Sequence, residues 1–166
     1  MRNHEAAHTD RSPLARTAAI AAGALFSAIG VLHALWAVGS TWPFRDKEAL
    51  SEMVWGGPAS TFPSPAATMV VSALLWTAAL LVTGRAGMWG ARMPRWVFSV
   101  GTWAVASVLF LRVLLGLGSI GSDAVNAGWE LALFSPLCLV LALLCVVVAR
   151  HGPRPRRSLV LSLIHI

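Results

Sequence analysis

Four long apolar runs, separated by segments rich in polar residues, glycine and proline, organise this chain. The runs cover residues 14–38, 66–83, 96–117 and 131–149. About 20 apolar residues in an α-helix cross the hydrocarbon core of a bilayer, which is roughly 30 Å thick. The pattern therefore predicts an all-α protein, a four-helix transmembrane bundle formed by a single membrane domain of residues 14–150.

Polar segments flank this membrane domain on both sides. Residues 1–13 are predicted to be a flexible cytoplasmic tail, and residues 151–166 a basic C-terminal tail. The last nine residues, 158–166, read SLVLSLIHI; they are too few to span a bilayer and resemble the translation of a sequencing adaptor. We interpret them as an assembly artefact. Within the loop after the first run, residues 46–54 predict a short amphipathic helix lying at the membrane surface.

Composition supports a membrane protein. The chain has 57% hydrophobic and 12% charged residues, and its mean hydropathy is +0.70. Soluble domains have about 25% charged residues. The net charge of +6 comes from residues between the apolar runs, so it does not indicate nucleic-acid binding. Membrane lipids are the expected partners, together with a second copy of the chain or other membrane proteins.

The positions of the basic residues predict the orientation. Ten of the thirteen Lys and Arg residues lie at the N-terminus, in residues 84–95 and after the fourth run. Cytoplasmic loops carry an excess of Lys and Arg. Both termini are therefore predicted to be cytoplasmic.

No complete cofactor or metal motif is found in the sequence. Cys138 and Cys145 lie seven residues apart in one apolar run, about 10 Å along a helix, which is too far for a disulfide bond. The five histidines are scattered along the chain. We therefore predict no cofactor and no metal.

Arg112 is the charged residue in the middle of an apolar run, and it raises the main functional question. A guanidinium at the centre of a membrane helix costs roughly 2.5–3.5 kcal/mol on insertion scales. His33 and Arg112 each follow a basic residue by 17 positions, about 25 Å of helix, so we predict that they lie at similar depth in the outer leaflet. Glu130 enters the fourth run from that same side. The candidate ligand-binding residues are therefore His33, Trp36, Arg112 and Glu130; none is assigned a catalytic role.

The sequence leaves three interpretations of Arg112 open. Its long stem could carry the charge to the headgroups. It could form an ion pair with Glu130 or Asp123 that fastens the helices together. It could also bind an anionic ligand through its planar fork.

Two sequence segments resemble domain-of-unknown-function family 3995, a family of small bacterial membrane proteins. They are LHALWAVGSTWP at residues 32–43 and FSPLCLVLALL at residues 134–144. The resemblance extends to an arginine late in the third helix and implies four spans with a polar group at their outer end. The positions that match are His33, Trp36, Gly39, Trp42, Arg112, Ser135, Pro136 and Cys138. Phe134 departs from the family, which usually has tyrosine there.

The sequence favours a non-enzymatic, multi-pass protein of the bacterial inner membrane that binds a lipid headgroup or a small anion near Arg112. One alternative is a membrane-embedded enzyme that uses His33 and Glu130 as acid and base. Another is a small transporter subunit. An enzyme needs its acid and base within reach of one cavity, whereas a transporter needs a polar path through the spans.

Overall fold

A computed structural model describes residues 12–118 and 127–153, and the secondary structure within these two ranges is entirely helical. The elements are α1 (Pro13–Ala37), α2 (Lys47–Val54), a 3₁₀ turn (Ala59–Thr61), α3 (Pro65–Arg85), α4 (Arg95–Gly118), α5 (Ala127–Trp129), a π-helical turn (Glu130–Phe134) and α6 (Ser135–His151). Helices α1, α3 and α4, and the continuous stretch Glu130–His151, are long and apolar enough to cross a membrane. This confirms the four long apolar helices predicted from the sequence. The predicted artefact at residues 158–166 and the N-terminal tail up to residue 11 lie outside the described residues.

Local sequence determines where the helices begin. Ser12 precedes Pro13 at the start of α1, and Ser64 precedes Pro65 at the start of α3. Each serine side chain accepts a hydrogen bond from the backbone N–H three residues later, and proline suits the first helical position because its missing N–H has no partner there in any case. Asp46 caps α2 in the same way, at 2.8 Å. The short helix predicted at residues 46–54 is therefore present.

Helices α1 and α3 pack closely in antiparallel directions. Gly23 lies against Thr83, and Gly30 lies against Trp76, so seven residues forward on α1 correspond to seven residues back on α3. The Ser72 hydroxyl on α3 donates a hydrogen bond to the Gly30 carbonyl at 2.7 Å. Small residues allow such close approach between helices in lipid.

The remaining long helices continue this alternation. Gly101 of α4 lies against Leu81 of α3, and the Phe98 ring lies against Gly84, so α3 and α4 are also antiparallel. Helix α6 packs against α4 and α1 and makes smaller contact with α3, which places α1 and α4 on the diagonal. Small and apolar residues fill the space between the helices; those with less than 2% exposure include Ala19, Ala22, Phe26, Val82, Cys145 and Val148.

The outward surfaces of the long helices are strongly apolar. Many large hydrophobic side chains there are more than half exposed, including Val70, Leu74, Leu80, Val100, Val108, Leu111 and Leu114. Monomeric soluble proteins rarely expose contiguous apolar patches larger than a few hundred Å². The surface is compatible with lipid contact.

The alternating directions give the molecule two chemically different ends. At one end, the described charged residues are all cationic: Arg16, Arg85, Arg92, Arg95 and Arg150. We call this the basic end. The opposite end, which we call the mixed end, holds all four described acidic residues, Asp46, Glu48, Glu52 and Glu130, together with His33, Arg45, Lys47 and Arg112.

Candidate functional site at the mixed end

Arg112 and Glu130 form a two-pronged ion pair that joins α4 to the π-helical turn preceding α6. The Arg112 Nη1 and Nη2 groups donate to Glu130 Oε1 and Oε2, and both distances are 2.9 Å. This parallel arrangement matches the planar guanidinium to the planar carboxylate and is among the stronger hydrogen-bonded pairs in proteins. Of the two partners considered from the sequence, Glu130 is therefore engaged, whereas Asp123 lies outside the described residues.

The two partners differ sharply in exposure. Glu130 is 2% exposed, whereas the Arg112 side chain is 46% exposed. The carboxylate thus lies inside the helix packing, and the guanidinium lies at its surface. Of the interpretations that the sequence left open, the ion pair with Glu130 is therefore present, and its guanidinium is partly exposed.

A π-helical turn positions the carboxylate. The Ser135 hydroxyl donates to Glu130 Oε1 at 2.6 Å, and the Ser135 N–H donates to the Glu130 carbonyl five residues back. In a regular α-helix, residues five apart point about 140° away from each other. The wider turn brings the two side chains together. Pro136, which follows directly, has no N–H with which to continue a regular i−4 ladder.

Gly116 allows the ion pair to approach α4. A Cβ atom built on Gly116 would collide with Glu130 Oε1 and with Arg112 Nη1, and would lie 2.7 Å from Glu130 Cδ. Gly118, two residues later, has nothing within 4 Å of the same position. The carboxylate therefore occupies the space that a side chain at position 116 would fill.

His33 and Trp36 form a second polar group at the end of α1. His33 Nδ1 donates to the Ile29 carbonyl at 2.8 Å, and the centroids of the His33 and Trp36 rings lie 5.1 Å apart. The Trp36 indole N–H donates to the Trp42 carbonyl at 2.8 Å. These contacts fasten the loop after α1 back onto its own helix.

The structure thus brings the four candidate residues together as two pairs. Among the described residues, the hydrogen bonds and ring contacts of His33 and Trp36 stay within α1 and its following loop, whereas Arg112 and Glu130 bind each other. A single ligand site shared by all four residues stays a prediction.

A small cavity lies beside Trp36. It has a volume of about 110 Å³ and is enclosed by the end of α1, the start of α2 and the segment before α3. Its lining is mainly apolar, and Lys47 is the charged residue in it. Neither His33 nor Glu130 lines this cavity, so it does not supply the shared acid–base cavity that the enzyme hypothesis needs. Within residues 12–118 and 127–153, no group of three potential metal ligands comes together.

Sequence reasoning did not identify two features of this site. Ser135 entered only through family resemblance, and its bond to Glu130 depends on a π-helical turn that helical periodicity does not reveal. The packing of Gly116 against the carboxylate was also missed. The sequence signal that could have indicated the contact between Glu130 and Ser135 is the combination of these two residues with Pro136.

Comparison with known protein families identifies one family that matches this chain. The model of the family described as protein of unknown function DUF3995 matches residues 26–145, which include both polar pairs and Ser135. No curated protein and no solved structure matches the chain. Since the matched region covers more than two thirds of the sequence, the chain belongs to the DUF3995 family.

Proposed function

We propose that this chain is a multi-pass protein of the bacterial inner membrane that binds a phosphate group, from a lipid headgroup or a small anion, through Arg112 at the mixed end. The observation that best supports this proposal is the difference in exposure between the two partners of the ion pair. Its carboxylate is buried and held by Ser135, whereas nearly half of the Arg112 side chain faces outward.

Glu130 acts in this proposal as an orienting group. It engages two of the five N–H donors of a guanidinium. Holding the planar group in one orientation lowers the entropy lost when an anion binds. Because Glu130 also neutralises the local charge, we expect affinity to depend on hydrogen-bond geometry more than on long-range attraction. Arginine should then be far better than lysine at this position.

The proposed orientation places the basic end in the cytoplasm and the mixed end outside. It is supported by the five arginines of the basic end, which have no acidic residue beside them in the described chain. In a variant with both cysteines changed to alanine, Ser60→Cys should react with an impermeant thiol reagent on intact spheroplasts. Arg92→Cys should react only after lysis, and the reverse pattern would refute the orientation.

The rival functions have less structural support. As an acid–base catalyst, Glu130 would have to release Arg112 and Ser135, which engage both of its oxygens. A transporter requires polar groups along its path, whereas the described hydrophobic core consists of alanine, valine, leucine, phenylalanine and cysteine residues. The buried hydroxyls of Ser72 and Thr102 within the long helices donate to backbone carbonyls.

The binding proposal can be tested on the purified full chain in detergent. We expect phosphatidylglycerol or inorganic phosphate to bind, and Arg112→Lys to lower the affinity about tenfold because the two-pronged geometry is lost. Arg45→Lys is the matched control, since Arg45 lies at the same end with its side chain 88% exposed. Equal affinity of the Arg112→Lys variant and the unmodified chain would refute the proposal.

A further inference from the structure

A second cavity lies at the basic end, opposite the proposed site. Its volume is about 180 Å³, and it is enclosed by the end of α3, the following loop, the start of α4 and Pro153 after α6. Two arginines, Arg85 and Arg95, line it together with Trp89 and Phe98. A cavity needs only about 10–15 Å³ to hold one water molecule, so this cavity has room for a larger polar group.

Aromatic packing fixes the wall of this cavity. The Phe98 ring packs so tightly against Gly84 and Gly90 that a Cβ on either glycine would overlap it. Trp89 meets Phe98 edge-on with ring centroids 5.2 Å apart, and its indole N–H donates to the Thr83 hydroxyl at 3.0 Å. Gly90 has a φ of 77°, which favours glycine, so the loop conformation depends on this residue. The cavity wall is therefore formed by interlocking residues of α3, the following loop and α4.

Arg85 forms the inner side of the cavity and is held in place by α6. Its Nη1 group donates to the Pro153 carbonyl and its Nη2 group to the Ala149 carbonyl, both at 2.8 Å. Its Nε atom is buried and, among the described residues, has no hydrogen-bond partner. Buried polar atoms without partners are rare in native proteins. The described chain thus orients this guanidinium without completing its hydrogen bonding.

The described chain also supplies no formal counter-charge. Arg95, exposed at the start of α4, lines the same cavity as Arg85, so two like charges face one space. Every described Asp and Glu lies at the mixed end, on the far side of the long helices. Like charges that face one space repel each other, and an anion bound between them would offset that repulsion.

We propose that this basic cavity binds an anionic phosphate group, supplied either by the headgroup of an acidic lipid or by a free phosphate. Arg85 binds from the inner side and Arg95 from the mouth. Guanidinium forks match phosphate oxygens in pairs, and basic pockets between membrane helices on the cytoplasmic side bind acidic headgroups. The site is separate from Arg112 and does not depend on the function proposed for the mixed end.

The test uses the full chain carrying Arg112→Lys, so that binding at the mixed end is weakened. Detergent-purified protein is titrated with phosphatidylglycerol, with phosphatidylcholine and with inorganic phosphate. We expect phosphatidylglycerol to bind more tightly than phosphatidylcholine, and Arg95→Gln to weaken that binding about tenfold. Arg92→Gln, an exposed arginine of the same loop outside the cavity lining, should change the affinity less than about twofold.

The outcomes separate the sources of the phosphate. Binding of phosphatidylglycerol without inorganic phosphate assigns the site to a lipid, and binding of both at similar affinity assigns it to the free anion. If neither binds, or if Arg92→Gln weakens binding as much as Arg95→Gln does, the proposal is wrong, because the attraction would then be a general property of the basic surface. Arg95 is exposed and makes no hydrogen bond that positions a helix among those described, so Arg95→Gln should fold normally; thermal unfolding verifies this.

Discussion

Arg112 and Arg85 lie at opposite ends of the long helices and are stabilised in different ways. Arg112 faces a carboxylate on the π-helical turn before α6, at 2.9 Å for both prongs. Arg85 faces two backbone carbonyls, that of Ala149 in the last turn of α6 and that of Pro153 just after the helix, at 2.8 Å each. The same side chain is therefore paired with a full negative charge at one end and with peptide dipoles at the other.

The difference follows from what each helix end offers. The last carbonyls of a helix have no intrahelical partner and carry a partial negative charge, equivalent to roughly half an electron. Arg85 satisfies one such carbonyl, that of Ala149, directly, but its positive charge is only partly offset. Near Arg112, α6 begins instead of ending, and the start of a helix has positive character that would repel a guanidinium. A carboxylate is needed there, and Glu130 supplies it.

The largest expected effect is that of removing Arg112. Arg112→Ala leaves Glu130 buried without a counter-charge, and breaking a buried pair costs 3–5 kcal/mol. Because Arg112 is itself half exposed, we expect about 3 kcal/mol, the lower end of this range. The measurement is the free energy of unfolding of the detergent-purified protein.

Glu130→Ala should be less harmful than Arg112→Ala, because a half-exposed guanidinium left alone can extend toward water. The double variant should cost less than the sum of the two single changes. Arg45→Ala is the control and should cost less than about 1 kcal/mol, as exposed pairs do. Additive losses would show that the pair observed in the structure does not hold the helices together.

Replacing Arg85 tests the other mode of stabilisation. Arg85→Gln removes two charge-assisted bonds, one to the last turn of α6 and one to Pro153 beyond it, and we expect a loss of about 1.5–3 kcal/mol in the free energy of unfolding. Arg92→Gln, from the same loop, should stay within about 0.5 kcal/mol. Combined with Glu130→Ala, the effect of Arg85→Gln should be additive, since the two residues lie at opposite ends. Strong coupling between them would contradict the separation of the two ends.

These two arginines also show what the sequence could predict. The depth predicted for Arg112 follows from the rise of a helix, and the position of Glu130 at the start of the fourth run follows from the apolar pattern. Each prediction needs only one segment of the sequence. The bonds of Arg85 join residues 64 and 68 positions apart, and they depend on where α6 ends in space. Charge counting placed Arg85 in a basic loop but could not indicate its carbonyl partners or the cavity beside it.

The same reasoning explains other differences between sequence and structure. The caps at Ser12 and Ser64 are local, since each hydroxyl accepts a hydrogen bond from a backbone N–H only three residues later. The π-helical turn at Glu130–Phe134 is a change of helical register that hydrophobic periodicity does not detect. His33 lies near the end of α1, yet its hydrogen bond to Ile29 is an intrahelical contact that its place in the sequence cannot distinguish from a ligand contact.

The smallest of the three effects concerns Gly116 and tests how tightly the ion pair is packed. Gly116→Ala places a methyl group where Glu130 Oε1 and Arg112 Nη1 now lie. Overpacking of this kind costs about 1–3 kcal/mol. Gly118→Ala is the matched control, because a Cβ atom there has open space, and we expect it to change the free energy of unfolding by less than about 0.5 kcal/mol. We therefore expect a clear loss at position 116 and little change at position 118, only two residues away.

The same substitution in a second background identifies the cause of the loss. If the carboxylate and guanidinium are what the methyl group meets, then Gly116→Ala should become neutral or stabilising once Arg112 and Glu130 are both alanine, since both colliding groups are gone. If the loss persists there, the close contact lies between the helix backbones, and the ion pair does not set their separation. Unfolding measurements on the four variants of this cycle distinguish the two explanations, because only the first predicts strong coupling between position 116 and the pair.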